Sequence, residues 1–297
     1  MRLVLTLVCR DFDALQLALP DGLEAVAAAG RPVSGMQVLG EGAIDLFTEG
    51  ESETLLAAAA ARALERRQAD FCAQGAEGRR KGLLLADMDS TIIGCECLDE
   101  LADLAGLEAE IAAITARAMD GEIPFEAALT ERVGKLAGLD VAALERTWTQ
   151  RVALNPGARI LVRTMTALGA RCVLVSGGFD FFTERVAQAA GFAAHRANRL
   201  IDDGARLTGD VARPILGREA KLDALIEEAA MLGIPLSDTL AVGDGANDLA
   251  MIEAAGLGVA YRAKPIVAGR AAARIDHTDL TTLLYFQGYG ADNFVTS

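Results

Sequence analysis

Two aspartates directly after a short apolar run are the first residues whose spacing suits chemistry. The run Leu83-Leu84-Leu85-Ala86 leads into Asp87-Met88-Asp89-Ser90-Thr91. Carboxylates at positions i and i+2 of a strand end can approach one reacting group, one as nucleophile and the other as acid or base. A turn or a helix N-cap rich in Asp and Ser would contain the same residues. The pentapeptide alone therefore leaves both interpretations open.

A second acidic motif, Gly243-Asp244-Gly245-Ala246-Asn247-Asp248, follows another apolar run. Its small residues let the chain come close to a ligand, and Asp244 offers a hard oxygen. Mg²⁺ prefers octahedral oxygen coordination from a few carboxylates together with phosphate and water. Asp87 and Asp244 meet this preference, so the two motifs together predict a magnesium site.

Two further features could bind a phosphate group. Ser176-Gly177-Gly178-Phe179 lies where a strand ends and a helix begins, so its hydroxyl and backbone N–H groups can form an anion seat. Lys221 opens a helix and could stabilise phosphate charge, although by itself it is typical of a solvated surface lysine. The net charge of −14 argues against nucleic-acid binding, and it also opposes the electrostatic attraction of an anionic substrate. Phosphate binding therefore requires local positive charge.

Alternating apolar and helical segments predict the fold that brings these motifs together. Residues 83–86, 171–175 and 239–242 are typical of strands buried on both faces, and each ends in one of the three motifs. They predict an α/β fold with a doubly wound, parallel-sheet (Rossmann-like) core that binds ligands at the carboxyl ends of its strands. Residues 97–150 lack a strand signal and predict a helical cap insertion, whereas 193–211 predict a β-hairpin attached to the core.

The first 78 residues are predicted to form a separate α+β domain. Strand, helix, two strands, helix and a short strand near Phe71 follow one another, and this βαββαβ order suits a ferredoxin-like fold. The polar segment 75–81 predicts a linker to the second unit. That unit comprises residues 79–297 and carries the cap at about 96–151.

Composition limits the class of protein further. Five cysteines, an odd number, argue against a disulfide framework and favour a reducing compartment. The apolar N-terminal run is too short for a secretory signal, and every apolar stretch falls short of the roughly 18 residues of a membrane helix. The sequence therefore predicts a cytoplasmic protein without nucleic-acid or membrane partners. Its oligomeric state, including a homodimer, is left open.

The three motifs that begin at Asp87, Ser176 and Gly243, together with Lys221, resemble those of the haloacid dehalogenase superfamily of phosphatases and occur in the same order. The resemblance covers residues 82 to about 287. The resemblance implies that Asp87 attacks phosphorus, and that Asp89 protonates the leaving oxygen and then activates water. It implies Mg²⁺ bound by Asp87, the backbone carbonyl of Asp89, and Asp244. The residues that would bind the phosphoryl group or support the site are Ser176, Gly177, Lys221, Asn247, Thr91, Gly178 and Asp248.

Within this superfamily the sequence is similar to the phosphoserine phosphatases, because the helical insertion directly follows the first motif. The resemblance implies that Glu96 binds the ammonium group of the substrate and that Arg132 grips its carboxylate by paired hydrogen bonds. It also implies an apolar pocket formed by Met119 and Phe125, and an ACT-like N-terminal domain. The implied reaction is hydrolysis of O-phosphoserine through an aspartyl-phosphate at Asp87, the last step of serine biosynthesis.

Three alternatives remain open at this stage. The aspartyl-phosphate could pass its phosphoryl group to an alcohol instead of water, which would make the protein a phosphotransferase. The substrate could be another small phosphate ester. The chain could also be a non-catalytic amino-acid sensor, although both carboxylates, the lysine and the metal-binding aspartate are all present. The preference for L- or D-substrate, serine feedback and cap motion are likewise undetermined.

Overall fold

A continuous β-sheet organises the part of the chain that the computed structural model describes, namely residues 1–30, 32–119 and 122–296, without the side chain of Met119. The strands are β1 Arg2–Cys9, β2 Gly35–Gly40, β3 Ala43–Glu49, β4 Ala69–Gly75, β5 Leu83–Ala86, β6 Arg171–Phe179, β7 Ala194–Asn198, β8 Leu200–Asp202, β9 Leu207–Val211, β10 Thr239–Gly243, β11 Leu257–Tyr261 and β12 Ala273–Ile275. Across these described residues the sheet has ten strands in the order β2-β3-β1-β4-β12-β11-β10-β5-β6-β7. The remaining pair, β8 and β9, forms a separate hairpin.

The helices lie on both faces of this sheet and in the predicted cap. They are α1 Phe12–Ala28, α2 Glu53–Ala63, α3 Cys97–Ala105, α4 Glu108–Met119, α5 Phe125–Lys135, α6 Ala142–Arg151, α7 Ala158–Ala167, α8 Asp180–Ala190, α9 Glu219–Leu232, α10 Leu249–Ala254, α11 Pro265–Ala268 and α12 Thr282–Phe286. The cap comprises α3 to α6, so its helical character is confirmed. Among the residues described, none of these helices is both long and apolar enough to cross a membrane.

The core is doubly wound, as predicted. Strands β12, β11, β10, β5, β6 and β7 run parallel to one another. Alternate residues of β5 face opposite sides: Leu84 packs in one buried cluster with α7, α8 and α12, and Leu85 in another with α9, α10 and α11. Burial on both faces explains why these strands are continuous apolar runs. The carboxyl ends of β5, β6 and β10 consequently lie side by side at one edge.

The N-terminal unit has the predicted βαββαβ order, and its four strands pair antiparallel as β2-β3-β1-β4. Its sheet continues into that of the core, because β4 pairs antiparallel with β12 at Phe71 and Arg274. The segment predicted as a linker is bonded to both units: Arg79 pairs with the buried Asp45 at 2.8 Å, and Lys81 donates to the carbonyl of Ser237 at 2.7 Å. The ACT-like identity of this unit stays a prediction.

Asp70 anchors the N-terminal sheet to the core. Its buried carboxylate accepts hydrogen bonds from the backbone N–H groups of Asp276, His277 and Thr278 and from the Thr278 hydroxyl, at 2.6 to 3.2 Å. Hydrogen bonds to a buried charged group contribute about 1.5 to 3 kcal/mol. The docking of the two units therefore depends strongly on this carboxylate.

We expect Asp70→Asn to lower the Tm by roughly 5 to 10 °C, because an amide nitrogen would face backbone donors that a carboxylate oxygen now satisfies. Scanning calorimetry measures this shift. Asp292→Asn, on the exposed C-terminal turn, is the matched control and should leave the Tm within about 1 °C. A Tm for the Asp70 variant equal to that of the control would contradict the anchor.

The hairpin predicted over residues 193–211 is arranged differently, and the prediction was wrong for its first strand. Strand β7 belongs to the main sheet, where it runs parallel to β6. The hairpin of β8 and β9 docks on the cap: the N–H of Gly138 donates to the carbonyl of Leu207, and the N–H of Leu207 to that of Leu139, both at 2.8 Å. As an edge strand, β7 lacks the continuous apolar pattern of the central strands, so its sequence resembles that of a hairpin.

Candidate active site

Asp87 lies at the end of β5 in a buried cluster of opposite charges. The Nζ atom of Lys221 is 2.6 Å from Asp87 Oδ1 and 2.5 Å from Asp248 Oδ1. Only 3% of the Lys221 side chain is exposed, so the structure excludes the surface position that is common for a lone lysine. The structure thus brings together three residues that the sequence placed in separate motifs.

The pKa shifts in this cluster show which of its side chains is stabilised in the charged form. Burial, and then repulsion by Asp248, raises the pKa of Asp87 well above its usual value, while Lys221 acts in the opposite direction. Burial alone would lower the pKa of Lys221, but Asp248 and Asp87 outweigh it, and its pKa lies above that of an ordinary lysine. Lys221 is therefore a permanent cation, and full ionisation of Asp87 requires more positive charge nearby.

Asp248 orients the second acidic turn. Its Oδ2 accepts hydrogen bonds from the backbone N–H groups of Asp244 at 3.1 Å and Gly245 at 2.9 Å. A Cβ atom on Gly243 would lie 2.4 Å from the carboxyl carbon of Asp248, so glycine is required at this position. The amide oxygen of Asn247 similarly lies over Gly245. Asp248 therefore shapes the turn.

The acidic residues at these strand ends fit a hard divalent cation. One carboxylate oxygen from each of Asp87, Asp244 and Asp248 lies within 4.8 Å of the others. Asp244 Oδ1 accepts a hydrogen bond of 3.2 Å from Thr91, and burial followed by Asp248 raises the pKa of Asp244 to about 6. Within the described residues, Oδ2 of Asp87 and Oδ2 of Asp244 accept no hydrogen bond and are free to bind a cation such as Mg²⁺. The sequence had not placed Asp248 in this group.

Asp89 contacts the C-terminal part of β6, which carries Ser176 and Gly178. Its Oδ1 accepts the N–H of Cys97 and its Oδ2 accepts the hydroxyl of Ser176, both at 2.9 Å. The Ser176 hydroxyl in turn accepts the N–H of Gly178 at 2.8 Å. Burial raises the pKa of Asp89, although the bonds from Cys97 and Ser176 oppose the shift. A carboxyl group with a raised pKa can act as a proton donor near neutral pH.

Glu96 directly precedes α3, and Arg132 lies on α5 of the cap. Glu96 Oε1 accepts the hydroxyl of Ser90 at 2.6 Å. Desolvation, and then repulsion by Asp89, raises the pKa of Glu96 to about 7, although the side chain keeps a solvent-exposed face. Burial lowers the pKa of Arg132 on α5, and attraction to Asp99 and Glu96 opposes this shift. The charges of Glu96 and Arg132 thus attract each other, and Arg132 Nε also donates to the backbone carbonyl of Ala128 at 3.4 Å.

Phe125, at the start of α5, covers the anion seat. Its Cζ atom lies 3.2 Å from the position that a Cβ atom would take on Gly177. An aromatic ring from the cap thus packs directly on the backbone of the Ser176-Gly177-Gly178 segment at the end of β6. The side chain of Met119, the other predicted pocket residue, lies outside the described residues.

Asn198 is a site residue that sequence reasoning missed. It is buried, donates from Nδ2 to the carbonyls of Gly177 at 2.9 Å and Leu216 at 3.3 Å, and accepts the N–H of Leu216 at 2.7 Å. Leu216 lies shortly before the helix that carries Lys221. Asn198 therefore ties the anion seat to the segment leading to the lysine. The position of Asn198 in the sequence did not indicate that it contacts Gly177 and Leu216.

Comparisons with known proteins identify relatives of this chain. The model of the haloacid dehalogenase-like hydrolase family matches residues 84–253. A phosphoserine phosphatase of Streptomyces coelicolor is 45% identical over 217 residues, 73% of this chain and 52% of the relative, so this chain spans about half the length of that protein. A phosphoserine phosphatase of Polaromonas sp. is 45% identical over 207 residues, 68% of this chain and 88% of the relative. The crystal structure of a HAD family hydrolase from Salmonella enterica serovar Typhi has a TM-score of 0.84 at 30% identity, covering 96% of this chain and 98% of that one.

Proposed function

The chain belongs to the haloacid dehalogenase-like hydrolase family, and from this membership we propose that it hydrolyses O-phosphoserine to serine and phosphate. The observation that carries the proposal is the buried cluster in which Lys221 lies 2.6 Å from Asp87 and 2.5 Å from Asp248. It combines a nucleophilic carboxylate, a fixed cation and a candidate metal position at one strand end. Relatives named phosphoserine phosphatase, at 45% identity, support the choice of substrate.

The reaction would proceed in two steps that use Asp87 and Asp89. In the first, an oxygen of Asp87 attacks phosphorus in line with the leaving group, and protonated Asp89 gives its proton to the serine oxygen as the P–O bond breaks. In the second, Asp89 takes a proton from the water that attacks the aspartyl-phosphate, which releases phosphate and restores both carboxyl groups. The raised pKa of Asp89 suits a group that must first donate and then accept a proton.

Positive charge is essential because a carboxylate and a phosphate dianion repel each other. Lys221 supplies a fixed part of it. Mg²⁺ would be held by Asp87, Asp244 and the backbone carbonyl of Asp89, and when bound it would offset phosphate charge. The residues that would contact phosphoryl oxygens are Ser176, Gly177, Lys221 and Asn247, with Thr91, Gly178 and Asp248 in supporting positions.

The two poles of phosphoserine match the opposite charges of two residues of the cap. The carboxylate of Glu96 would bind the ammonium group, and the guanidinium of Arg132 would bind the carboxylate by two parallel hydrogen bonds. Phe125 and Met119 would cover the short aliphatic part between them. Because these contacts come from the cap while the phosphoryl group would be bound by the core, the substrate would also hold the cap closed and exclude bulk water.

We expect Arg132→Ala to raise the KM for phosphoserine about 10- to 100-fold, the effect of losing charge-assisted hydrogen bonds of about 1.5 to 3 kcal/mol. Phosphoethanolamine has the amine but not the carboxylate. The Arg132→Ala variant should therefore hydrolyse it at a rate within about 2-fold of that of the native protein. Arg146→Ala, on the exposed face of α6, is the matched control. Equal losses with both substrates would contradict a carboxylate-binding role.

The function itself is tested by measuring phosphate release from O-phospho-L-serine with Mg²⁺ and after treatment with EDTA. Metal-dependent release supports the proposal. Turnover of an aryl phosphate but not of phosphoserine would keep the chemistry and reject the substrate. Addition of homoserine as acceptor distinguishes the phosphotransferase, because a transferase would form a new phosphoester in place of free phosphate.

A further inference from the structure

The two segments that connect the core to the cap are joined to each other. Residues 92–94 lead into the cap, and residues 153–155 lead out of it. Ile93 and Leu154 form an antiparallel bridge. The N–H of Asn155 donates to the carbonyl of Ile92 at 2.8 Å, and the N–H of Gly94 to that of Ala153 at 3.2 Å. Both chain connections between the core and the cap therefore run through this short ladder.

The side chain of Asn155 adds a second attachment to the same ladder. Its Nδ2 donates to the carbonyl of Thr91 at 2.8 Å and to the carbonyl of Ile93 at 3.1 Å. A primary amide has two N–H donors, so both are used. Within the described residues, the carbonyls of Thr91 and Ile93 accept no hydrogen bond other than these two. Thr91 is fully buried, so loss of its donor would leave a buried acceptor unsatisfied.

The turn that Asn155 holds is the one that carries both aspartates. Ser90, in the middle of this turn, has a φ of 57°, a left-handed conformation that costs free energy in a non-glycine residue. At its end, the hydroxyl of Thr91 donates to Asp244 Oδ1 at 3.2 Å. A strained turn keeps one conformation only where surrounding bonds hold it. Asn155 supplies two of them at the point where the turn meets the cap.

The segment that follows Asn155 is itself fixed on the core. The N–H of Leu280 donates to the carbonyl of Pro156 at 3.2 Å. Gly157 has a φ of 81°, and a Cβ atom there would lie 2.7 Å from the backbone nitrogen of Thr281. Asn155 therefore acts from a rigid support and transmits the position of the core to the turn.

We propose that Asn155 is a positioning residue, which fixes the catalytic turn to the hinge of the cap without touching the substrate. The proposal rests on the proposed function, because it assigns the turn of Asp87 and Asp89 to phosphoryl transfer. Loss of the Asn155 amide would let the turn shift at Thr91, and the two carboxylates would lose their alignment with phosphorus. The defect would lie mainly in kcat, since Glu96 and Arg132 would still bind the substrate.

The test compares Asn155→Ala and Asn155→Asp with the native protein. We expect Asn155→Ala to lower kcat for phosphoserine about 10-fold, with KM within about 3-fold, as for other residues that orient catalytic groups. Asn155→Asp keeps the size but turns a carboxylate oxygen towards the two carbonyls, so its loss should be at least as large. Asn293→Ala removes a similar amide bond to a backbone N–H, at Gly290 on the exposed C-terminal turn, and should be neutral.

A second measurement separates positioning from simple support of the fold. Beryllofluoride with Mg²⁺ mimics a phosphoryl group on the nucleophilic aspartate and should raise the Tm of the native protein. We expect this rise to be smaller by at least half in Asn155→Ala, with the ligand-free Tm lowered by only a few degrees. Native kcat and a native beryllofluoride shift in Asn155→Ala would overturn the proposal. So would recovery of native kcat at a lower temperature, because the amide would then only support folding.

Failure of the proposed function would be recognised separately. If the native protein hydrolyses an aryl phosphate but not phosphoserine, the substrate is wrong, and the 10-fold loss of kcat is then expected with the aryl phosphate. If neither ester is hydrolysed, the beryllofluoride shift decides about Asn155. A shift equal in native protein and Asn155→Ala would reject the positioning role.

Discussion

Replacement of Asp87 by Asn is expected to reduce phosphate release by about 10³-fold or more, because an amide oxygen cannot replace the attacking carboxylate. The substitution keeps the shape of the side chain and an oxygen that can accept the N–H of Met88, now bonded at 2.8 Å. Burial and Asp248 already raise the pKa of Asp87, so a charge at this position destabilises the metal-free fold. The Tm without Mg²⁺ should therefore be unchanged or higher.

Two readouts on the same sample establish that the effect is chemical. Phosphate release is measured with saturating phosphoserine, and the Tm is measured with and without Mg²⁺. We expect the variant to lose most of the Mg²⁺-dependent rise in Tm, since Asp87 would supply a metal ligand. Asp292→Asn serves again as the surface control. Retention of more than a tenth of the native rate would exclude Asp87 as the nucleophile.

Replacement of Lys221 by Met has the second-largest expected effect. Met is similar in length but neutral, so Asp87 and Asp248 would be left as unpaired carboxylates in a buried site. We expect kcat to fall about 10²- to 10³-fold, because a fixed positive charge no longer stabilises the transferring phosphoryl group. Removal of one partner of a buried charge cluster also costs about 3 to 5 kcal/mol, so the Tm should fall clearly.

Lys221→Arg should not rescue the rate. The Nζ atom fits between two carboxylate oxygens at 2.6 and 2.5 Å, and a planar guanidinium requires more space. Lys135→Met is the matched control, since Lys135 pairs with Glu110 on the exposed surface of the cap, where an ion pair contributes little. If Lys221→Met keeps native kcat at a temperature where it is fully folded, the lysine only stabilises the fold.

The N-terminal unit is attached more firmly than the predicted linker suggested. Its sheet joins that of the core, and Asp70 holds the segment 276–278. The same C-terminal part of the chain contacts Pro156 and Gly157, next to the hinge residue Asn155. A path of packed backbone thus runs from the N-terminal sheet to the catalytic turn. The Asp70→Asn variant, assayed for kcat as well as Tm, shows whether this path affects the reaction.

Local sequence was sufficient to predict the parallel core, the helical cap and the βαββαβ order of the N-terminal unit. Residues buried on both faces, such as Leu84 and Leu85, must be apolar in succession, and this leaves a pattern that can be read along the chain. The acidic motifs could be predicted to meet for a related reason. Parallel strands end at the same edge of a sheet, so Asp87 and Asp244 lie close together once the strands are placed.

Only the tertiary structure decided which polar residues hold these motifs in position. Asn155 bonds to carbonyls 62 and 64 positions away, and Asp70 to N–H groups more than 200 positions away. Such bonds depend on how whole elements pack, and a single Asn or Asp carries no periodic signal of its distant partner. The hairpin on the cap and the position of β7 at the sheet edge were decided in the same way. The chemistry of the candidate site was therefore encoded locally, whereas its alignment arises from contacts that exist only in the folded chain.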